Sequence, residues 1–350
     1  MVIIPQKTLN WLLEENNPPV RNLTKKYLLD EEPAAAELKQ VNDYEPIRSI
    51  LSLMKPDGSW SDPKDPYKKY TGNYWQYIFL CDLNANPSDA SIRKASKYIL
   101  SYQLPDGGFS HKSSFKKHII CLTANLLRSL VYFGHEDEES VQKGINLITD
   151  QVTEHRGTFC FDPIYNLLPD CQMALTKVLA LYAHLDRETR DPGVQRAINI
   201  IEERIAENRV FQYVPAGIEE FKKAIKGKRT AEIRQIKAKM SSQPENMKKT
   251  GVKSSWKIFG FPHSYTSDAL ETLYWLARLD VRDRSEYEEA INLVTSKIES
   301  NGFLINENKF KNKMLVDIEP KKTPSKWLTF RACYVSKKFR ELKFEDQISA

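Results

Sequence analysis

A short turn recurs along this chain at a near-constant interval, and it restricts the possible folds more than any other feature. Glycine shortly precedes an aromatic in Pro56-Asp57-Gly58-Ser59-Trp60, Gln103-Leu104-Pro105-Asp106-Gly107-Gly108-Phe109, Arg156-Gly157-Thr158-Phe159 and Asn301-Gly302-Phe303. Gly58, Gly107 and Gly157 stand roughly fifty residues apart, a helical-pair period. Gly302 lies about three periods further on and fits the series if one repeat is degenerate.

The segments between the turns alternate in character. Stretches 73–83, 117–134, 171–185 and 264–279 are apolar nearly all round, as expected of helices buried on every side. Their successors, 89–102, 137–151, 191–207 and 284–299, are apolar on one face only. A last buried helix is expected over 326–340. One all-apolar and one amphipathic helix per repeat predicts two concentric helical layers, an all-α, α/α toroid, because an open solenoid usually makes both helices amphipathic. The expected organisation is an N-terminal helical extension over 1–55 and a toroid over 56–350. An insertion at about 212–256 breaks the period.

Composition narrows the class. Hydrophobic residues make up 41% of the chain, enough for a large core, and only 13 of 350 residues are glycine. No apolar run reaches membrane-spanning length, and the N-terminus lacks a signal-peptide core, so a cytoplasmic protein with no transmembrane segment is expected. Five widely spaced cysteines argue for reduced thiols. The net charge of +6 is concentrated: 219–257 holds twelve Lys/Arg against four Glu, and the remainder is close to neutral. Nucleic acid is therefore not an expected partner. The insertion reads either as a polar, solvated excursion or as a basic arm for an anionic partner. No glycine-rich phosphate loop is present.

Gln103-x3-Gly107-Gly108-Phe109 and Met54-x3-Gly58-Ser59-Trp60 resemble the Gln-x-x-x-Gly-x-Trp repeat of the terpenoid cyclase and protein prenyltransferase superfamily, whose members are α/α toroids. A narrower set of segments is similar to small prokaryotic proteins with prenyltransferase and squalene-oxidase-type repeats. These are Trp11-Leu12-Leu13-Glu14 with Pro19-Val20-Arg21-Asn22, Cys160-Phe161 with Cys171, Gly260-Phe261-Pro262 with Tyr265 and Asp268, and Pro324-Ser325-Lys326-Trp327. The resemblance implies a central cavity that binds or transforms an isoprenoid or lipid-like substrate. The Asp-x-Asp-Asp and Asp-Asp-x-x-Asp motifs of two cyclase mechanisms are absent from the sequence. The alternative is a non-catalytic scaffold or protein-interaction toroid, with or without a structural zinc.

Candidate residues follow, each with a structural alternative. Tyr74, Trp75, Tyr77, Tyr265, Tyr274, Trp275 and Trp327 lie on or beside inner helices, where they either face a substrate cavity or fill the core between layers. Cys121 and Cys171, one repeat apart, should reach the same rim, with Cys160 on the loop between. With His155, His263 or Asp170 they form a candidate zinc site; packing of buried thiols and a reactive nucleophile are the alternatives. Asp170-Cys171 and His263 also stand where prenyltransferases place zinc ligands, at different spacing. Asp268 is a candidate general acid or a helix cap; Asp170 is the second candidate catalytic carboxylate. His111, His118, Lys112, Lys116 and Lys117 form either a diphosphate-contacting rim or a solvated loop.

Overall fold

The computed structural model describes residues 2–155, 167, 171–188, 190–263, 266–281, 283–307 and 313–345. Four short helices come first: α1 (Gln6–Leu12), α2 (Pro18–Leu28), α3 (Ala35–Lys39) and α4 (Glu45–Ser52). Pro18 does not break a helix here. It opens α2 at the first turn, where its missing N–H costs nothing, and the Asn17 side chain caps the Val20 N–H.

The repeat follows as α5 (Asn73–Asp82), α6 (Ala90–Leu100), α7 (Ile120–Tyr132), α8 (Glu139–His155), α9 (Gln172–Tyr182) and α10 (Pro192–Glu207). After the insertion, with α11 (Ile218–Ile225), α12 (Thr230–Ser241) and α13 (Pro244–Met247), it resumes as α14 (Ala269–Arg278), α15 (Glu288–Glu299) and α16 (Lys326–Phe339). The two expected layers are both present. All of α5 is buried, whereas α6 buries only Ile92, Ala95, Ser96 and Ile99. Inner helices pack in the order α5, α7, α9, α14, α16, and α16 packs on α2. Further packing of α4 on α5 closes the ring, so the N-terminal helices complete the toroid. Outer helices α6, α8, α10 and α15 each lie against their inner partners. The fold is an α/α toroid.

The turns join the layers by one repeated device. Gly58, Gly107 and Gly302 all have positive φ. At Gly107 (φ +89°) a Cβ would stand 2.5 Å from the backbone nitrogen of Gly144 in α8, so glycine is required twice over. Just past each turn, a backbone N–H reaches into the first turn of the next inner helix. Trp60 donates to Asn73 Oδ1 at 2.7 Å, Phe109 to Thr123 Oγ1 at 2.9 Å, and Leu304 to Thr329 Oγ1 at 2.9 Å. Gln103 Nε2 donates to the carbonyls of Gly107 and Ser140, tying its turn to the next outer helix. The third turn, at Arg156–Phe159, lies outside the described residues.

Short strands add two features that helical periodicity did not anticipate. β1 (Val2–Ile4) pairs in parallel with β4 (Leu342–Phe344), clamping the ends of the chain together. β2 (Tyr213–Pro215) pairs antiparallel with β3 (Lys249–Val252) and closes the base of the insertion. The insertion is also not polar all round. Phe221 and Ile233 are buried with Leu167 in a small apolar cluster of their own, flanked by Ile225, Ile236 and Met240. Their i, i+3, i+7 spacing is the signal that the high lysine content masked.

Candidate functional site

A cavity of about 970 Å³ lies at the N-terminal ends of the inner helices. Its ring side comes from Trp75 on α5, Leu122 and Asn125 on α7, and Met173 and Lys177 on α9. The opposite wall is the insertion: Tyr213 to Pro215 of β2, Ile218, Glu219 and Lys222 of α11, and Trp256 after β3. This segment therefore builds the cavity instead of merely interrupting the repeat. Tyr67, Lys69 and His111 complete the rim.

Local contacts fix the aromatic wall. The Trp75 indole N–H donates to the Tyr67 carbonyl at 2.8 Å, and its ring centroid lies 5.1 Å from that of Tyr67 and 5.5 Å from that of Tyr70. Such tilted contacts are a favoured aromatic geometry. The polar wall is cationic. Among the described lining residues Lys69, Lys222 and Lys253 face a single carboxylate, Glu219, which accepts from Lys222 at 2.7 Å, while the charge of Lys177 is met by Glu271 behind the wall. Burial, with Lys313 adding to it, pushes the Lys69 ammonium below its ordinary value. Burial, reinforced by Lys112, likewise lowers His111.

Behind Lys177 runs a buried charge network. Lys177 Nζ donates to both oxygens of Glu271, at 2.7 and 2.8 Å, and to the Thr266 carbonyl at 3.2 Å. Both side chains of the pair are almost fully buried. Burial alone would raise the Glu271 carboxyl, but its neighbours, His263 first and then Lys177 and Arg331, outweigh this and hold it at about 2. Asp268 caps α14, its Oδ1 accepting from the Glu271 N–H at 2.8 Å. Its Oδ2 accepts from His263 Nε2 at 2.9 Å and from the Gly260 N–H at 3.3 Å. Arg331 stands 2.8 Å from His263 Nδ1. A guanidinium can only donate, so Nδ1 accepts and the imidazole proton sits on Nε2. Both ring nitrogens of His263 are thereby occupied.

The sequence-derived candidates divide accordingly. Of the expected cavity aromatics, Trp75 lines the cavity. Tyr74 and Tyr77 turn away from it: Tyr74 packs on Tyr102 and Phe109, and the Tyr77 hydroxyl lies 2.7 Å from Ser96 on α6. Tyr274, Trp275 and Trp327 instead line a much smaller void. Cys121, in the first turn of α7, and Cys171, just before α9, both line the cavity, as their one-repeat spacing implies. His263 is buried in the Asp268–Arg331 network and does not join them. Among the described residues no group of three His, Cys, Asp or Glu is placed to hold a metal ion. Tyr265, Cys160 and Asp170 lie outside the described residues. Of the basic-loop candidates, His111 lines the cavity, while His118 is tied to Asp106 and Gln151.

Lys177, Glu271 and Arg331 were not among the candidates, yet a signal for them exists in the sequence. Each is a charged residue on the buried run of an inner helix, as Arg128 is in α7. Such a residue must find a partner inside the ring.

No protein-family model matches the sequence, and no curated protein matches it. Among solved structures, the type II terpene cyclase MstE from Scytonema in its apo form is 12% identical, covering 85% of this chain and 97% of that chain at a TM-score of 0.35. A variant of the same enzyme in complex with geranylgeranyl dihydroxybenzoate is 11% identical, covering 86% and 97% at 0.37. Cellobiose 2-epimerase from Spirochaeta thermophila is 11% identical, covering 90% and 97% at 0.38. Both enzymes are α/α toroids. The assignment of the present fold rests on its own helix order and layers, and the chemistry on its own residues. No helix among the described residues is long and apolar enough to cross a membrane.

Proposed function

We propose that this protein binds an amphipathic anion, with an isoprenoid or other lipid-like chain, in the cavity between the inner-helix N-termini and the insertion. The observation that carries the reading is the division of the cavity wall. Trp75, Leu122, Met173 and Trp256 offer an apolar surface, and Lys69 and Lys253, with Lys222 beside Glu219, offer positive charge. Small-molecule sites typically enclose about 300–1,000 Å³, so the volume suits a chain of isoprenoid length. The N-terminal ends of α5, α7 and α9 add partial positive charge in the same region. Within this reading the basic insertion serves the cavity's own ligand as its anionic partner.

Titration calorimetry with farnesyl diphosphate, and with farnesol as the uncharged comparator, tests it. Saturable binding of the diphosphate is expected, weakened at least about tenfold for farnesol, since hydrogen bonds and ion pairs to charged groups contribute about 1.5–3 kcal/mol. Met173→Trp, which fills the cavity from a partly exposed position on α9, should abolish binding while leaving the helical circular dichroism intact. Failure of both probes to bind would sink the proposal.

A second reading is a thiolate zinc site, supported by the shared location of Cys121 and Cys171 on the cavity wall. The described residues do not complete a ligand set, so the site would draw on Cys160 or Asp170. Elemental analysis of untagged protein and of its Cys121→Ala/Cys171→Ala variant tests it. Zinc near one per chain, lost in the variant, supports the site, and metal-free wild-type protein excludes it.

A further inference from the structure

The ring is not empty at its other end. Where α5, α7 and α14 approach their C-termini, a void of about 20 Å³ is lined by Asp82, Arg128, His184, Trp275, Arg278 and Arg331, among others. Three guanidiniums thus meet one carboxylate among its described lining residues. Asp82 is committed to Arg128, whose Nη2 donates to it at 2.6 Å. Arg278 donates to the Tyr274 hydroxyl at 3.1 Å and lies over the Tyr27 ring, and Arg331 is bonded to His263. His184 adds no charge of its own: burial, then Arg128 and Arg278, push its imidazole down to about 3. Among the lining residues positive charge therefore exceeds negative; Glu271, the further carboxylate felt by Arg128 and Arg331, is already paired with Lys177.

It also carries donors without acceptors. Arg128 Nε and Trp275 Nε1 are buried and have no hydrogen-bond partner, on side chains that are only 3% and 4% exposed. Two unpaired donors beside one polar void are costly unless something there accepts from them. The helix C-termini lend partial negative charge that makes buried arginine tolerable, but they leave these two N–H groups unsatisfied. The volume admits about one water-sized sphere.

We propose that this void is a binding site for one small monovalent anion of chloride size, accepting from Arg128 and Trp275 and balancing the arginine excess. It shares no lining residue with the large cavity, and it does not depend on what that cavity binds. An anion here would join α5, α7 and α14 across the ring axis and so stabilise the closed toroid.

Crystals of the full chain soaked in sodium bromide test the site directly. An anomalous peak within hydrogen-bonding reach of Trp275 Nε1 and Arg128 Nε is expected. In solution, 0.2 M chloride should raise the melting temperature by about 2–4 °C over gluconate at equal ionic strength, for a millimolar dissociation constant. Trp275→Phe removes one donor and should flatten this difference. Should that variant fail to fold, bromide in the wild-type protein decides alone. No anomalous peak, with equal melting temperatures in the two salts, would mean that water fills the void and the proposal is wrong.

Discussion

Replacing Lys177 by Met should destabilise the toroid severely, because it strands Glu271 in the interior. In the fold Glu271 is held at about 2, against 4.5 for an ordinary glutamate. That difference corresponds to about 3 kcal/mol of stability at neutral pH. The carboxyl is held below its unfolded value, so this contribution is complete above pH 4.5 and is lost as the pH falls towards 2. Removing the ammonium takes away its charge and its two hydrogen bonds to Glu271, leaves the burial penalty in place, and removes the donor to the Thr266 carbonyl. Breaking a buried pair in this way costs about 3–5 kcal/mol. Urea denaturation followed by tryptophan fluorescence reads the loss at pH 7. At pH 4.5 the variant's deficit should shrink, because Glu271 can then take up a proton. Lys177→Met/Glu271→Leu should recover most of the loss, since an apolar pair of similar volume carries no buried charge. If the single variant costs less than about 1 kcal/mol, or the double variant is no more stable than the single, Lys177 and Glu271 do not form the buried pair described here.

Other substitutions test separate parts of the structure. Gly107→Ala should cost at least about 2 kcal/mol, through its left-handed backbone and the 2.5 Å approach to Gly144. Gly134→Ala, with φ +86° and open space around it, should cost only about 1 kcal/mol; thermal melts compare the two, and equal losses would discredit the close approach. Thr123→Val removes the acceptor of the Phe109 N–H and should cost about 1–3 kcal/mol in urea denaturation. His263→Ala should lower stability without altering metal content by elemental analysis, because both ring nitrogens are already bonded to Asp268 and Arg331. Loss of bound metal in that variant would return His263 to the ligand set.

The sequence by itself determined the two helical layers. Burial on every side and burial on one side leave different patterns in the chain: α5 and α9 are apolar around their circumference, while α6 and α10 show one stripe. The Asp-Gly turns were equally readable, since positive φ favours few residues, and so was the placement of Cys121 and Cys171 at one rim, since one repeat returns the chain to the same end of the ring. What only the tertiary structure decided is the use made of each buried face. Tyr74 and Trp75 are neighbours on one helix, about 100° apart around its axis. One packs against the outer layer and the other lines the cavity, and composition is the same for both. The insertion's role also depended on distance in space: Trp256 and Lys222 meet α7 and α9 only after the chain has turned back over the ring. The charged residues inside the greasy helices were visible one at a time. Their pairing, Lys177 with Glu271 and Arg128 with Asp82, spans 94 and 46 residues and is set by ring closure. Local periodicity reports which residues are hidden from water. It carries no information on which distant residue they are hidden against.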